Sequence, residues 1–216
     1  MQRVLALTLL VSALGAAAFL FLRPKGNPSL DPAQGARLVF GKQEAPVTVV
    51  DFSNYLCPHC RDHSENVLPR LFAEYVETGK VRYVFRDFPF PGQENVVRAS
   101  EAAACAAEGG RYLDYHQALF RDPSWGGLPK EALDRYLVSL AGQLGLNTRA
   151  FEACLASGKH RAEVLADQEL ANKLGLTGTP SFFINGEPHT GYMDYTRWKE
   201  LLDKLLREAN TEKLSK

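Results

Sequence analysis

Strand-forming sequence in this chain is confined to two places separated by a long helical stretch, and that order limits the folds open to it. Val47-Thr-Val-Val-Asp-Phe52 is a β-branched, apolar run of the kind buried on both faces of a sheet, and Val81-Arg-Tyr-Val-Phe85 is a second with partial alternation. Between them Val67, Leu68, Leu71, Phe72, Tyr75 and Val76 recur at helical spacing; Gly79 is a stop signal and Pro69 should kink the middle. The opening unit is therefore β-α-β. From about Glu94 to Leu174 strand signals vanish and helical patterns follow, separated by Gly109-Gly110, Pro123 to Pro129 and Gly142 to Asn147. Ser181-Phe-Phe-Ile184 then returns as a strand, and Asn185-Gly186 signals a tight hairpin. A last amphipathic helix from Tyr195 to Leu206 turns Trp198, Leu201, Leu202 and Leu205 inward, and Ala209 to Lys216 reads as a frayed polar tail.

Val4 to Leu22 is apolar apart from Thr8, Ser12 and Gly15, with Arg3 before it and Arg23 and Lys25 after it. This is an export signal. Ala16-Ala17-Ala18 offers a cleavage site, but about 19 apolar residues just cross a hydrocarbon core, which favours an uncleaved anchor over a cleaved peptide. Arg23 to Ala36, with Pro24, Pro28, Pro32, Gly26 and Gly35, reads as a flexible stalk. The folded part is then expected outside the cytoplasm, where disulfides persist. Equal numbers of basic and acidic residues, 25 each, leave no electrostatic footprint for nucleic acid.

Four cysteines are too few for a disulfide-rich miniprotein, but two form Cys57-Pro58-His59-Cys60, just past the first strand and opening a helix. A thiol at a helix N-terminus meets unpaired N–H groups and the positive end of the macrodipole, which favour thiolate over thiol. Cys57 is the expected exposed sulfur and Cys60 lies one turn inward. Pro58 fits the first turn without losing a helical hydrogen bond, and a protonated His59 adds a cationic stabiliser. Stabilising the thiolate stabilises the reduced pair, so its disulfide should be oxidising and Cys57 a good leaving group. A structural zinc site needs four ligands, and Cys105 and Cys154 form no second knuckle, so no metal is expected. His63 shares a helix face with Cys60 but reads most simply as a solvated residue; His116, His160 and His189 read as structural or exposed.

The Cys57-Pro-His-Cys60 motif after a strand, the helical block, and Gly178-Thr179-Pro180-Ser-Phe-Phe-Ile-Asn185 opening a later strand together resemble the DsbA-like thiol:disulfide oxidoreductases of the thioredoxin fold. The resemblance implies an α/β thioredoxin fold split by a helical insertion. Its parts are residues 37–93, the insertion 94–174 and 175–208, after the anchor or signal (1–22) and stalk (23–36) and before the tail (209–216). It makes Pro180 a cis-proline facing the active-site disulfide, with Thr179 beside it as a substrate contact. Asp51, six positions before Cys57, takes the place of the buried acid that accepts a proton near the inner cysteine. Cys105 and Cys154 take the places of a structural disulfide; closing a loop of about 50 residues contributes on the order of 4 kcal/mol in a chain-entropy treatment.

The expected activity is disulfide formation in exported proteins of the periplasm or cell envelope. The only cofactor is the enzyme's own Cys57-Cys60 disulfide. A quinone-linked membrane oxidase is the implied reoxidant, the membrane is contacted through residues 4–22 if uncleaved, and the chain is expected to be a monomer. Thr179 also resembles the residue at this place in disulfide isomerases, which keeps an envelope reductase or isomerase as the alternative. A thioredoxin-fold copper carrier ranks below both, because such a carrier wants another soft or imidazole ligand beside the pair.

Overall fold

The computed structural model describes residues 30–214. The anchor or signal at 1–22 and most of the stalk lie outside them; among the described residues no helix is long and apolar enough to cross a membrane.

From Asp31 onward the chain builds a five-stranded sheet carrying helices. The strands are β1 (Leu38–Phe40), β2 (Val47–Ser53), β3 (Val81–Asp87), β4 (Ser181–Ile184) and β5 (Glu187–Thr190), in spatial order β1-β3-β2-β4-β5. β2 and β3 pair in parallel, as a β-α-β crossover requires, and every other pairing is antiparallel. Central β2 is covered on both faces: Val47, Val49, Val50 and Phe52 are all buried. Asn185 and Gly186 both have positive φ (49° and 84°), the backbone a two-residue hairpin between twisted strands demands. β1 is too short to show periodicity in sequence. Its Phe40 nonetheless packs against Phe72, Phe85 and Tyr112.

The crossover helix is broken rather than merely kinked. α1 (Pro58–Asn66) stops before Val67, α2 (Leu68–Leu71) follows, and a π-helical turn covers Phe72–Val76. Pro69 has no N–H to offer a carbonyl four residues back, and its ring crowds that carbonyl, so the ladder cannot continue. Five helices fill the insertion: α3 (Glu94–Glu108), α4 (Tyr112–Arg121), α5 (Lys130–Gln143), α6 (Thr148–Ser157) and α7 (Arg161–Lys173). α3 is its axis. Buried Ala99, Ala102, Ala103, Ala104 and Ala106 let neighbouring helices approach closely. Its half-buried Arg98 clamps Asp134 of α5 at 2.7 and 3.1 Å and donates to the Leu155 carbonyl of α6 at 2.8 Å.

Two boundaries differ from the sequence expectation. Residues 31–36, expected as the end of a flexible stalk, are packed: Pro32 and Ala33 are buried, and Arg86 of β3 donates to the carbonyls of Pro32 (3.1 Å) and Gln34. Proline and glycine forbid regular structure there, but bare carbonyls are what a buried guanidinium needs. The final helix α8 runs Tyr195–Leu214, well into the expected polar tail. That stretch holds no Gly or Pro, and an i,i+4 pair such as Lys204–Glu208 (3.8 Å) supports a solvated helix. Trp198 and Leu202 are buried, whereas Leu201 and Leu205 are only half-buried.

Candidate active site

β2 ends at Ser53 and α1 begins at Pro58, and the loop between them is organised by a residue that carries no sequence signal, Asn54. Its side chain is buried; the amide donates to the Phe88 carbonyl (3.0 Å) and Gln93 Oε1 (2.7 Å), and its Oδ1 accepts the Leu56 N–H at 3.0 Å. Its main-chain carbonyl accepts the Cys57 N–H at 3.0 Å. Cys57 is thereby fixed as the N-cap of α1, with Pro58 in the first turn.

Both active-site cysteines are free thiols, Cys57 half-buried and Cys60 buried. Cys57 is held down to about 5, first by the Cys60 thiol hydrogen bond and then, against the opposing effect of partial burial, by Thr179 and the N–H groups of Cys60 and His59. Cys60 is pushed far up by burial and by its coupling to Cys57. The two sulfurs therefore divide into a stabilised thiolate and a retained thiol.

His59 acts on Cys57 through its main chain. Its ring is solvent-exposed, 3.5 Å from Asp62 and stacked 6.4 Å from Tyr192. Thr179 and Pro180 arrive from the other half of the fold through a cis peptide bond. The Cys57 thiol donates to the Thr179 carbonyl at 3.2 Å, and the Thr179 hydroxyl, buried without another partner, is available to a thiolate. The Pro180 carbonyl accepts from Gly191 N–H at 2.9 Å, tying this loop to the one carrying Tyr192.

Asp51 stands inside β2, opposite Phe85 and Phe182, and not at a strand end. Burial raises it to about 7, with a hydrogen bond from Tyr83 opposing the rise. His63 overturns the reading of a solvated residue: it is 2% exposed, 2.9 Å from the Tyr83 hydroxyl and kept neutral by burial, down to about 3. The clue was its spacing, one turn after Cys60 on the face that meets the sheet. Cys105 of α3 and Cys154 of α6 are joined in a disulfide, Cα atoms 5.9 Å apart. His160 converges on them, but both sulfurs are spent in that bond.

A thioredoxin family profile matches residues 33–204. The chain belongs to the thioredoxin family and is a DsbA-like thiol:disulfide oxidoreductase. It is 30% identical over 193 residues to a probable disulfide bond formation protein D of Bacillus anthracis, covering 86% of this chain and 85% of that protein. It is 26% identical over 196 residues to disulfide bond formation protein D of Bacillus subtilis, covering 85% and 84%. Among solved structures it is similar to alpha-DsbA1 of Wolbachia pipientis (TM-score 0.72, 27% identity, 85% of this chain and 99% of that one). The oxidised BdbD of Bacillus subtilis is also similar (TM-score 0.65, 26% identity, 78% and 92%).

Proposed function

We propose that this DsbA-like oxidoreductase works in the oxidising direction, forming disulfides in exported proteins at the extracytoplasmic face of the cell. In its oxidised form a substrate thiolate attacks Cys57 Sγ; the Cys57-Cys60 bond breaks, and the sulfur of Cys60 leaves with the electron pair and takes a proton from the Asp51 carboxyl. A second substrate thiolate then attacks the substrate sulfur of the mixed disulfide and expels Cys57 as thiolate. The substrate has lost two electrons and the enzyme has gained them. Reoxidation runs the reverse sequence: Cys57 attacks the oxidant, and Cys60 gives its proton to Asp51 before closing the disulfide. The Thr179-Pro180 loop offers main-chain groups to the substrate, and the Cys105-Cys154 disulfide is structural. By family resemblance the oxidant is a quinone-linked membrane oxidase, residues 4–22 anchor a monomer near it, and no bound cofactor is needed.

The observation that carries this direction is the contrast between the two sulfurs: Cys57, at about 5, is the better leaving group, and a pair whose thiolate is so stabilised resists reoxidation and gives up its disulfide readily. A reductase or isomerase reading keeps one residue in its favour, Thr179. The test is the reduction potential of Cys57/Cys60 in the full chain, equilibrated in defined glutathione buffers with a Cys105→Ser/Cys154→Ser control. A value near about -120 mV supports disulfide donation, and one near about -270 mV transfers the assignment to a reductase.

A further inference from the structure

On the proposed reading Asp51 serves Cys60, and two further buried polar side chains are committed to it. Asp51 Oδ2 accepts the Tyr83 hydroxyl at 2.9 Å, and the same hydroxyl oxygen lies 2.9 Å from His63 Nε2. His63 Nε2 and Asp51 Oδ2 are 4.0 Å apart, so Tyr83 is the intermediary. Asp51, Tyr83 and His63 are 2%, 0% and 2% exposed.

A hydroxyl carries one proton, and this fixes the polarity of the chain. When Tyr83 donates to the Asp51 carboxylate, its oxygen must accept, so His63 donates from Nε2 and is left with a bare lone pair on Nδ1. The two ends of such a chain are His63 Nδ1 and Asp51 Oδ1, both buried and neither bonded to another protein group among the described residues. No other protein group among these residues claims Asp51 Oδ1, so that oxygen is the one not committed by the fold.

The placement follows from the fold. Cys60 and His63 are one turn apart on α1 and face the sheet surface bearing Asp51 of β2 and Tyr83 of β3. Phe182 and Trp198 hold the imidazole from the far side, with ring centroids 4.8 and 5.5 Å away. From α4, Tyr112 and His116 also lie among the buried titratable groups on this side of the sheet, Tyr112 being raised in part by the Asp51 charge and His116 kept neutral chiefly by burial. Among the described residues no lysine or arginine pairs with Asp51. The charge on this acid is therefore held by neutral dipoles alone.

We infer that His63 is a positioning residue for the proton step at Cys60. Through the Tyr83 hydroxyl it commits Asp51 Oδ2 and leaves Oδ1 as the acceptor for the Cys60 proton. This rests on the proposed role of Asp51 and adds the device that sets when that acid can act. Removing the donor chain disfavours the carboxylate, and the acid accepts its proton only at higher pH.

The test follows closure by Cys60 of a Cys57-glutathione mixed disulfide in the full chain, by acid quench and mass measurement across pH. Wild type should accelerate through a midpoint near pH 7. In Tyr83→Phe and His63→Leu that midpoint should rise by about one pH unit, slowing closure about fivefold at pH 7 and about tenfold well below it. His63→Gln, whose amide nitrogen takes the place of Nε2 and can still donate to Tyr83, should return it toward wild type. A folded His63→Leu with the wild-type midpoint and only a lower melting temperature would make His63 a packing residue and overturn the inference. If His63→Leu does not fold, Tyr83→Phe decides alone: an unmoved midpoint overturns the relay. Asp51→Asn distinguishes the deeper failure, since a step that survives in it removes Asp51 as the acceptor and this inference with it.

Discussion

The Cys57 thiol and the Thr179 carbonyl meet at 3.2 Å although 122 residues separate them in sequence. That contact joins the two halves of the thioredoxin fold across the helical insertion. It also makes the cis-proline loop part of the electrostatic surroundings of the exchanging sulfur, alongside the first turn of α1.

The largest influence on Cys57 comes from its partner. The Cys60 thiol donates to the Cys57 thiolate ahead of Thr179 and the main-chain N–H groups. Cys60→Ala should therefore raise the Cys57 pKa by about one unit or more from its value near 5, because loss of a charge-assisted hydrogen bond outweighs what water can restore at a half-buried sulfur. The ultraviolet absorbance of the thiolate, followed against pH, gives the midpoint directly. His59→Ala should move it far less, since His59 acts through its N–H.

Asn54 should prove as important to the site as either flanking residue of the motif. Asn54→Ala leaves the Leu56 N–H and the Phe88 carbonyl without their partner and takes one of two donors from Gln93 Oε1, which keeps the Phe90 N–H. The expected cost is about 2 to 3 kcal/mol in urea unfolding. Because the same loop fixes the N-cap, the Cys57 titration should also broaden or shift upward. Gln93→Ala, which removes one of the three Asn54 contacts and also the acceptor of the Phe90 N–H, should cost about 1 to 2 kcal/mol.

What the sequence disclosed and what it hid have physical reasons. The Val47 and Val81 strands, the helical block and the Asn-Gly hairpin are local patterns, so periodicity and turn chemistry were enough to read them. Cys57 and Cys60 were legible because their chemistry depends on spacing along the chain, and the cis-proline at Pro180 was implied by the family resemblance. Asn54, Tyr83 and His63 were not, because their importance arises from buried partners supplied by other elements. An imidazole on a helix looks solvated until Phe182 and Trp198 are known to cover it. The packed segment 31–36 was hidden likewise, since its partner Arg86 lies 54 residues beyond Pro32.

Loss of the Cys105-Cys154 bond should destabilise the protein without removing exchange at Cys57. The bond ties α3 to α6 across 49 residues, a loop for which chain entropy gives on the order of 4 kcal/mol. Arg98 of α3 still holds α6 through the Leu155 carbonyl and α5 through Asp134, contacts that survive the substitution. Cys105→Ala/Cys154→Ala should accordingly unfold at lower urea, by about 2 to 4 kcal/mol, while Cys57 keeps its titration midpoint. A moved midpoint would show that the insertion reaches the active site.

Asp51 should limit stability in the pH range where it serves the reaction. Its folded pKa of about 7 lies above the ordinary carboxyl value of 3.8, so the folded state binds the extra proton between those values. Stability from this group is full below about pH 4 and is lost as pH rises through about 7. His63 and His116 have the opposite sign: burial takes both down to about 3, so their penalty appears as pH falls below about 6.5 and the unfolded chain takes up protons. Asp51→Asn removes the first effect and leaves the second. The variant should match wild type near pH 4 and exceed it at pH 8 by on the order of 2 to 4 kcal/mol, the upper figure being the full displacement at about 1.4 kcal/mol per tenfold change. Urea unfolding of both proteins at the two pH values measures the difference. An equal difference at both would mean that the carboxyl is ionised throughout. In that event Asp51 carries no proton for Cys60 at pH 4, and the acid is a fixed charge in the fold instead of a proton store.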